Sequence, residues 1–164
     1  MRKYWMPVLL VCGMFVEADA QRVAPASQAG IAPFKIRLVN GEGFTYQQLP
    51  KNTAVRLIYF SPGCDHCKAF TAAMLARLAK EKPLRDKLII MMSFEDIKEV
   101  QQFDRQYKLS SHPNIKIGSE GYTFVVQRYY NVQHFPFVAE YDRKGDLIKI
   151  LPQEMTPEQM AAAL

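Results

Sequence analysis

Cysteine and histidine are scarce in this 164-residue chain, which holds three of each. Only one pair of cysteines, Cys64 and Cys67, lies at close spacing, and the histidines are scattered, so the usual ligand pattern of a zinc site is missing. Lys68 follows the pair, which rules out the CxxCH sequence needed for covalent haem attachment. We therefore expect no metal and no cofactor other than a redox-active disulfide between Cys64 and Cys67.

Long runs of one charge sign and internal repeats are also missing. The net charge of +5 is spread along the chain, without a Lys/Arg run or a basic patch interleaved with aromatic residues, so we expect no nucleic-acid partner. The hydrophobic share of 49% and the charged share of 23% are those of an ordinary globular protein. A chain of this length is expected to form one domain.

No apolar run approaches the 18 to 20 residues of a membrane-spanning helix. The longest begins after Arg2 and Lys3, covers the 13 residues 4–16 and is interrupted by a proline. An A-x-A sequence ending at Ala20 follows it. This pattern is typical of a cleaved secretory signal, so we predict export, to the periplasm or a comparable compartment, and regard membrane anchoring as the weaker alternative.

The predicted organisation has three parts: a signal peptide over residues 1–20, a linker rich in Ala, Gln, Pro and Ser over residues 21–33, and one domain over residues 34–164. Cys12 leaves with the signal peptide. The mature chain then carries one cysteine pair in an oxidising compartment, and the pair closes a loop too short to act as a structural staple.

The most informative stretch begins with the apolar run 55–60 and ends in the cysteine pair. Residues 61–63 (Ser-Pro-Gly) are a turn signal, and beyond Cys67 apolar residues recur at three- and four-residue spacing. The order predicts a strand, a tight turn and the N-terminus of a helix. A thiol at a helix N-terminus lies beside unpaired N–H groups and the positive end of the helix dipole, which favours its thiolate. We therefore predict a reactive sulfur at Cys64.

The rest of the chain alternates strands and helices. Two parallel neighbouring strands are expected, because an apolar run at 88–92 follows the helix that begins at Cys64 and is itself followed by a second helical pattern. The remaining predictions are strands at 34–38, 44–46, 137–141 and 146–151, helices at 95–107, 122–130 and 156–164, a loop at 110–121, and an end to the first helix at 81–83.

This arrangement resembles the thioredoxin fold, and more narrowly the exported TlpA/ResA-type thiol-disulfide oxidoreductases, over residues 34–164. The motifs that carry the resemblance are residues 60–67 (FSPGCDHC), residues 130–132 (YNV) before Pro136, and Asp142 and Gly145 after it. The resemblance implies an α/β three-layer sandwich. It also implies a mixed sheet with an N-terminal β-hairpin and an extra βα unit before a cis-proline.

The resemblance also implies roles for individual residues. Cys64 is the nucleophile that forms a mixed disulfide with a substrate, Cys67 resolves it, and Phe135 and Pro136 bind the substrate chain, with the proline cis and facing the dithiol. The implied partners are protein thiol and disulfide substrates and a membrane-bound redox partner. The chemistry of the two thiols independently supports attack by Cys64 and resolution by Cys67.

The two residues between the cysteines are expected to modulate them in opposite directions. His66 can donate a hydrogen bond to the Cys64 thiolate, whereas Asp65 places a negative charge nearby. Each Coulomb contribution is about 1 to 4 kcal/mol at surface-like dielectrics. The orientation of the two side chains therefore decides their net effect.

Four positions depart from the pattern. Gly63 stands where a Trp commonly precedes the first cysteine, and Phe135 where Thr often precedes the proline. Ile58 and Phe70 occupy the two positions at which related proteins carry a buried acid. The sequence therefore identifies no carboxylate that accepts the proton of Cys67.

Two other functions use the same cysteines. A peroxiredoxin-like thiol peroxidase would fit Ser61, three residues before Cys64, although Leu57 stands where its motif has Pro. A non-enzymatic Cu(I)-binding chaperone would use Cys64, Cys67 and a histidine, since soft thiolates select Cu(I). His112, His134 and the aromatic group Tyr122, Phe124, Tyr129 and Tyr130 are interpreted as loop, rim and core residues.

Overall fold

Seven strands form one mixed sheet through the centre of the domain. The computed structural model describes residues 30–152 and 154–164. Its strands are β1 (Lys35–Leu38), β2 (Gly43–Thr45), β3 (Val55–Tyr59), β4 (Leu88–Ser93), β5 (Ile115–Ser119), β6 (Phe137–Tyr141) and β7 (Leu147–Ile150). They lie in the order β2-β1-β5-β4-β3-β6-β7.

Five α-helices cover the two faces of this sheet. They are α1 (Asp65–Leu78), α2 (Lys82–Arg85), α3 (Ile97–Tyr107), α4 (Val125–Tyr130) and α5 (Pro157–Ala162). Thr156 caps α5 with a complete capping box, which it forms with Gln159. Within the described residues, no helix is long and apolar enough to cross a membrane.

The central strand β3 is buried along its whole length and fixes the position of the cysteine pair that follows it. It pairs in parallel with β4 and antiparallel with β6, which confirms the predicted parallel neighbours. Alternate side chains of β3 enter different layers: Ile58 joins the core beneath α1, α3 and α5, whereas Leu57 joins the core beneath α4. The three-layer sandwich is confirmed.

The predicted N-terminal hairpin is present, and its first strand joins the main sheet. β1 and β2 pair antiparallel, and β1 also pairs antiparallel with β5. Packing begins earlier than predicted, because Ala32 is fully buried and its N–H donates to Tyr130 Oη at 2.9 Å. The predicted signal peptide and residues 21–29 of the predicted linker lie outside the described residues.

The predicted loop at 110–121 was wrong, because it contains β5. Ile115 and Ile117 alternate with less apolar residues, but the segment is short and holds Lys116 and Gly118, which weakened the strand pattern. Together, β5 and α4 provide an additional strand and helix before Pro136. The helix predicted at 122–130 begins only after Phe124, whose φ of 52° separates α4 from a short 3₁₀ turn.

Residues 81–83 do not simply end the first helix. α1 ends at Leu78, and Pro83 lies in the first turn of the short helix α2. Proline is well tolerated there because the first-turn N–H groups have no partner within the helix. Pro83, which was interpreted as the end of a helix, thus marks the start of a new one.

Candidate active site

Cys64 lies at the N-cap position of α1, where the chain leaves β3 through the 61–63 turn. Its sulfur accepts a hydrogen bond from the Cys67 N–H at 3.3 Å. The side chain is partly exposed. The positive end of the helix dipole and this N–H both stabilise negative charge on the sulfur.

Cys67 lies one helical turn further on and is fully buried in the core beneath α1. Burial is the main cause that raises the pKa of its thiol, and its hydrogen bond with Cys64 adds to the increase. Both cysteines are free thiols in this structure. The pair therefore combines one accessible sulfur with one that stays protonated behind it.

The segment that opens β6 lies directly opposite Cys64. The Phe135–Pro136 peptide bond is cis, as predicted. The Phe135 carbonyl oxygen accepts a hydrogen bond from the Cys64 thiol at an S···O distance of 3.7 Å. Although 71 residues separate them in the sequence, Cys64 and Phe135 are neighbours in the fold.

The Phe135 ring anchors this segment to the core. Its centroid lies 5.8 Å from that of Tyr59 and 5.7 Å from that of Phe94. Tyr59 is fully buried, and its hydroxyl donates to Glu120 Oε1 at 2.6 Å. Burial, with this hydrogen bond, raises the pKa of Tyr59.

Glu120 links this cluster to the N-terminus of α4. Its Oε2 accepts the backbone N–H groups of Val125 at 3.0 Å and Val126 at 3.3 Å. A buried carboxylate is stabilised there because it receives hydrogen bonds at the positive end of a helix. The sequence did not indicate that Tyr59 and Glu120 support the site. The only hint was that Glu120 lies shortly before a predicted helix.

A cavity of about 520 Å³ lies beside Cys64 and is open to solvent. The side chains that line it around the cysteine are His66, His134, Phe135, Pro136, Met155 and Met160. Both apolar and polar side chains therefore line the open side of the Cys64 sulfur.

Asp65 and His66, expected to modulate Cys64, both point toward solvent. The Asp65 side chain is 93% exposed and forms an ion pair with Lys68 Nζ at 2.8 Å. The hydrogen bond from Lys68 lowers the pKa of Asp65. His66 is exposed beside the cavity, and the hydrogen bond expected from it to Cys64 is not among those formed by residues 30–152 and 154–164.

Ile58 and Phe70 are fully buried, so the two positions at which an acid was sought are apolar in the fold as well. A different acid approaches the motif. Ser61 Oγ donates a hydrogen bond to Glu95 Oε1 at 3.2 Å. The sequence carried a topological signal for this contact, because Glu95 follows β4, and parallel neighbouring strands end at the same edge of a sheet.

The other residues singled out in the sequence are dispersed. His112 precedes β5, whereas Cys64 follows the end of the parallel strand β3, so the two lie at opposite ends of the sheet. Tyr130 is buried and Tyr122 is 69% exposed, in line with the core and rim roles expected of the aromatic group. Across the described part of the chain, no three His, Cys, Asp or Glu side chains are grouped as a metal site.

The sequence matches no protein-family model and no curated relative. The fold, in contrast, matches many solved structures. A secreted disulfide oxidoreductase of Mycobacterium tuberculosis, homologous to E. coli DsbE, is 21% identical with a TM-score of 0.61, over 86% of this chain and 100% of that one.

Two further matches have different chemistry in their names. Peroxidoxin BcpB of Mycobacterium tuberculosis is 14% identical, with a TM-score of 0.64 over 82% of this chain and 94% of that one. Copper-bound ScoI of Bradyrhizobium japonicum is 21% identical, with a TM-score of 0.55 over 82% and 96%. One fold thus hosts several functions. What the three likenesses establish for this chain is the architecture itself: it has the thioredoxin-like fold.

Proposed function

We propose that this protein is an exported thiol-disulfide oxidoreductase that exchanges disulfides with protein substrates through Cys64 and Cys67. The observation that carries the proposal is the asymmetry of the pair: a partly exposed sulfur at a helix N-terminus with a fully buried thiol one turn behind it. Thiol-disulfide exchange needs one sulfur that attacks first and a second that waits.

The reaction proceeds in two displacements. The Cys64 thiolate attacks one sulfur of a substrate disulfide, so a mixed disulfide forms and the first substrate thiolate leaves and is protonated. Cys67 then loses its proton and attacks the Cys64 sulfur, which releases the second substrate thiolate. Two electrons pass from the dithiol to the substrate, and a Cys64–Cys67 disulfide forms; the reverse sequence oxidises a substrate dithiol.

Phe135 and Pro136 support the binding of a polypeptide substrate. They line the cavity beside Cys64, and the Phe135 carbonyl already accepts a hydrogen bond from its thiol. When Cys64 enters a mixed disulfide this carbonyl is released, which frees it for a substrate N–H. The substrate class is therefore a cysteine-containing polypeptide segment.

The cellular setting follows from the predicted signal at residues 1–20. In an oxidising compartment the Cys64–Cys67 pair must be returned to its working redox state after each turnover. A membrane-bound redox partner that exchanges electrons with cytoplasmic carriers would do this.

One contact favours disulfide exchange over the peroxidase alternative. In a peroxidase site of the Ser-x-x-Cys type, the serine hydroxyl would be directed at the reacting cysteine. Here the Ser61 hydroxyl donates to Glu95 instead. The test below therefore also measures peroxidase activity and Cu(I) binding, the two alternative functions.

The test is catalysis of insulin reduction by dithiothreitol, alongside oxidative refolding of a reduced disulfide protein. We expect the wild type to accelerate at least one of these reactions, and Cys64→Ser to abolish the acceleration. Lys51→Ala, an exposed substitution before the start of β3 and so at the other end of that strand from Cys64, is the control and should behave like the wild type. No acceleration in either assay, together with hydrogen peroxide turnover or Cu(I) binding that requires Cys64, would overturn the proposal.

A further inference from the structure

Four aromatic rings form a continuous strip that begins beside Cys64. In order they are Phe135, Phe94, Phe124 and Tyr122, and we name them the aromatic strip. The centroid distances between successive rings are 5.7, 5.4 and 6.3 Å. The Phe135 carbonyl oxygen lies 3.7 Å from the Cys64 sulfur, so the strip is continuous with the reactive cysteine.

The aromatic strip reaches solvent, unlike the aromatic residues of the core. Tyr122 is 69% exposed, and the other three rings are only partly buried. Tyr59, which packs against Phe94 and Phe135, is in contrast fully buried. Core packing accounts for Tyr59, but it does not account for a row of partly exposed rings that ends in an exposed tyrosine. A contiguous apolar surface of this kind is typical of an interaction site.

The backbone of Phe124 is strained. Its φ of 52° and ψ of 30° lie in the left-handed region, which a bulky side chain rarely adopts. Glycine or asparagine would fit this turn with less strain. The Phe124 ring, however, lies between the rings of Phe94 and Tyr122 and so completes the strip. Backbone strain that places a partly exposed side chain next to a reactive group is typical of functional sites.

Glu120 holds the aromatic strip from two sides. Its Oε1 accepts the hydroxyl of Tyr59 at 2.6 Å, and the Tyr59 ring lies 5.8 Å from that of Phe135. Its Oε2 accepts the N–H group of Val125, which directly follows Phe124, at 3.0 Å. The rings are therefore in place before a ligand arrives, which reduces the entropic cost of binding.

The chemistry of the strip defines the ligand that it can bind. In the mixed disulfide the substrate cysteine is attached to Cys64, so its neighbours in the substrate lie on the surface around this sulfur, of which the strip forms one side. Alternate side chains on one face of an extended segment lie about 6.5 Å apart. The successive rings, 5.4 to 6.3 Å apart, have a comparable spacing. The cavity that Tyr122 lines carries both charge signs, including Arg37 and Asp96, so apolar contact rather than charge is the basis of selection.

We propose that the aromatic strip binds the segment of a protein substrate that adjoins its reactive cysteine, and that it selects segments with apolar side chains two and four residues from that cysteine. This inference rests on the proposed function and names the substrate class of the same site. The bound segment is extended, and its apolar side chains lie against the rings of Phe94, Phe124 and Tyr122. Disulfides in apolar sequence surroundings therefore react faster with Cys64 than disulfides in polar surroundings.

Three synthetic peptides, each with one cysteine activated as a 2-thiopyridyl disulfide, measure this selection. One has Leu two and four residues after the cysteine, one has Leu two and four residues before it, and one has Ser at all four positions. The Cys64 thiolate attacks the peptide sulfur, the bond to the pyridyl sulfur breaks, and that sulfur leaves with the electron pair and is protonated to 2-thiopyridone, whose absorbance is followed. We expect reduced full-length protein to react about tenfold faster with one of the Leu peptides than with the Ser peptide, the effect of burying roughly one apolar side chain.

Two variants shorten the strip. Tyr122→Ser and Phe124→Asn should each lower the rate with the preferred Leu peptide about three- to tenfold and leave the rate with the Ser peptide unchanged. Phe124→Asn also relieves the strained backbone, because Asn tolerates the left-handed region, so we expect the variant to keep the urea midpoint of the wild type. Tyr46→Ser removes another exposed tyrosine outside the strip; it is the matched control and should retain the full preference.

Three results would overturn the inference. The first is equal wild-type rates with all three peptides, or a preference that persists in both variants. The second is an equal loss of rate with the Leu and Ser peptides, which would mean that the rings only support the position of Cys64. The third is a wild-type dimer in sedimentation that Tyr122→Ser dissociates, which would assign the strip to a second copy of this chain. If the wild type reacts with every peptide no faster than glutathione does at the same pH, the proposed function itself fails.

Discussion

The two sulfur atoms of the motif lie in different surroundings, although only two residues separate them. Cys64 is partly exposed at the N-cap of α1, whereas Cys67 is fully buried one turn later. The difference arises because helical geometry turns the Cys67 side chain toward the core face shared with Phe70 and Met74. Cys64 is thus the accessible thiol of the pair, and Cys67 is the buried thiol that keeps its proton.

Burial of Cys67 also links stability to pH. Since burial raises the pKa of this thiol, the folded protein keeps the proton at pH values where the unfolded thiol, with a pKa of about 8.5, has lost it. The folded state then binds more protons than the unfolded state, so the free energy of unfolding falls as pH rises above about 8.5.

This link can be measured by urea unfolding of the reduced protein between pH 7.5 and 10. We expect the wild type to lose stability more steeply than Cys67→Ala, by up to about 1.4 kcal/mol per pH unit. Thr71→Ala, at a buried position of α1 that does not titrate, is the control and should keep the wild-type slope. Equal slopes for the wild type and Cys67→Ala would contradict the burial argument.

Residue-scale prediction from the sequence succeeded where local chemistry was enough. Cys64 at a helix start and the cis peptide before Pro136 were both anticipated from motifs. The partners of Asp65 and Ser61 were not, because they depend on side-chain orientation and on a neighbouring strand. A sequence motif specifies which atoms are present, but the fold decides which of them meet.

At the scale of elements, β5 is the strand that the sequence pattern failed to indicate. It lies between β1 and β4 and so joins the N-terminal hairpin to the main sheet. Gly118, which weakened the strand pattern, is required there: a Cβ at this position would lie 2.4 Å from the Arg37 carbonyl oxygen. Gly118 therefore weakens the strand pattern in the sequence, but its missing side chain allows β1 to pair with β5.

Gly118→Ala should therefore destabilise the protein by about 1 to 3 kcal/mol, because the added methyl group forces β1 and β5 apart. The matched control is Gly43→Ala on β2, where a Cβ meets nothing within 4 Å and the change should stay within about 0.5 kcal/mol. Chemical denaturation of both variants measures the difference. If both variants changed the free energy of unfolding equally, β1 and β5 would be able to move apart without loss of stability, and the prediction would be wrong.

A second element-scale feature was also hidden in the sequence. Arg56 lies within the apolar run read as a buried strand, and it is buried with its Nε 2.9 Å from Glu140 Oε1 on β6. Lys87 and Lys149 approach the same carboxylate at 3.7 and 3.9 Å. The pairing follows from the register of β3 against β6, which no local pattern encodes.

At the scale of the whole molecule, the sheet brings distant parts of the chain to one edge. β3 and β4 are parallel, so Ser61 and Glu95 meet where both strands end, and β6 begins at that same edge with Phe135 beside Cys64. The predicted fold class located this edge correctly. The missing strand and the Glu95 contact required three-dimensional register.

The most direct measurement of the central claim is capture of the mixed disulfide. In Cys67→Ala the second displacement is blocked, so an adduct formed on Cys64 persists. The variant is expressed in its native host, the cells are acid-quenched and alkylated, and adducts are separated without reductant and identified by mass spectrometry. We predict reducible adducts with exported, cysteine-containing proteins, absent when Cys64 is also replaced by Ser. If the single and double variants give the same absence of adducts, Cys64 is not a nucleophile toward protein disulfides and the account is contradicted.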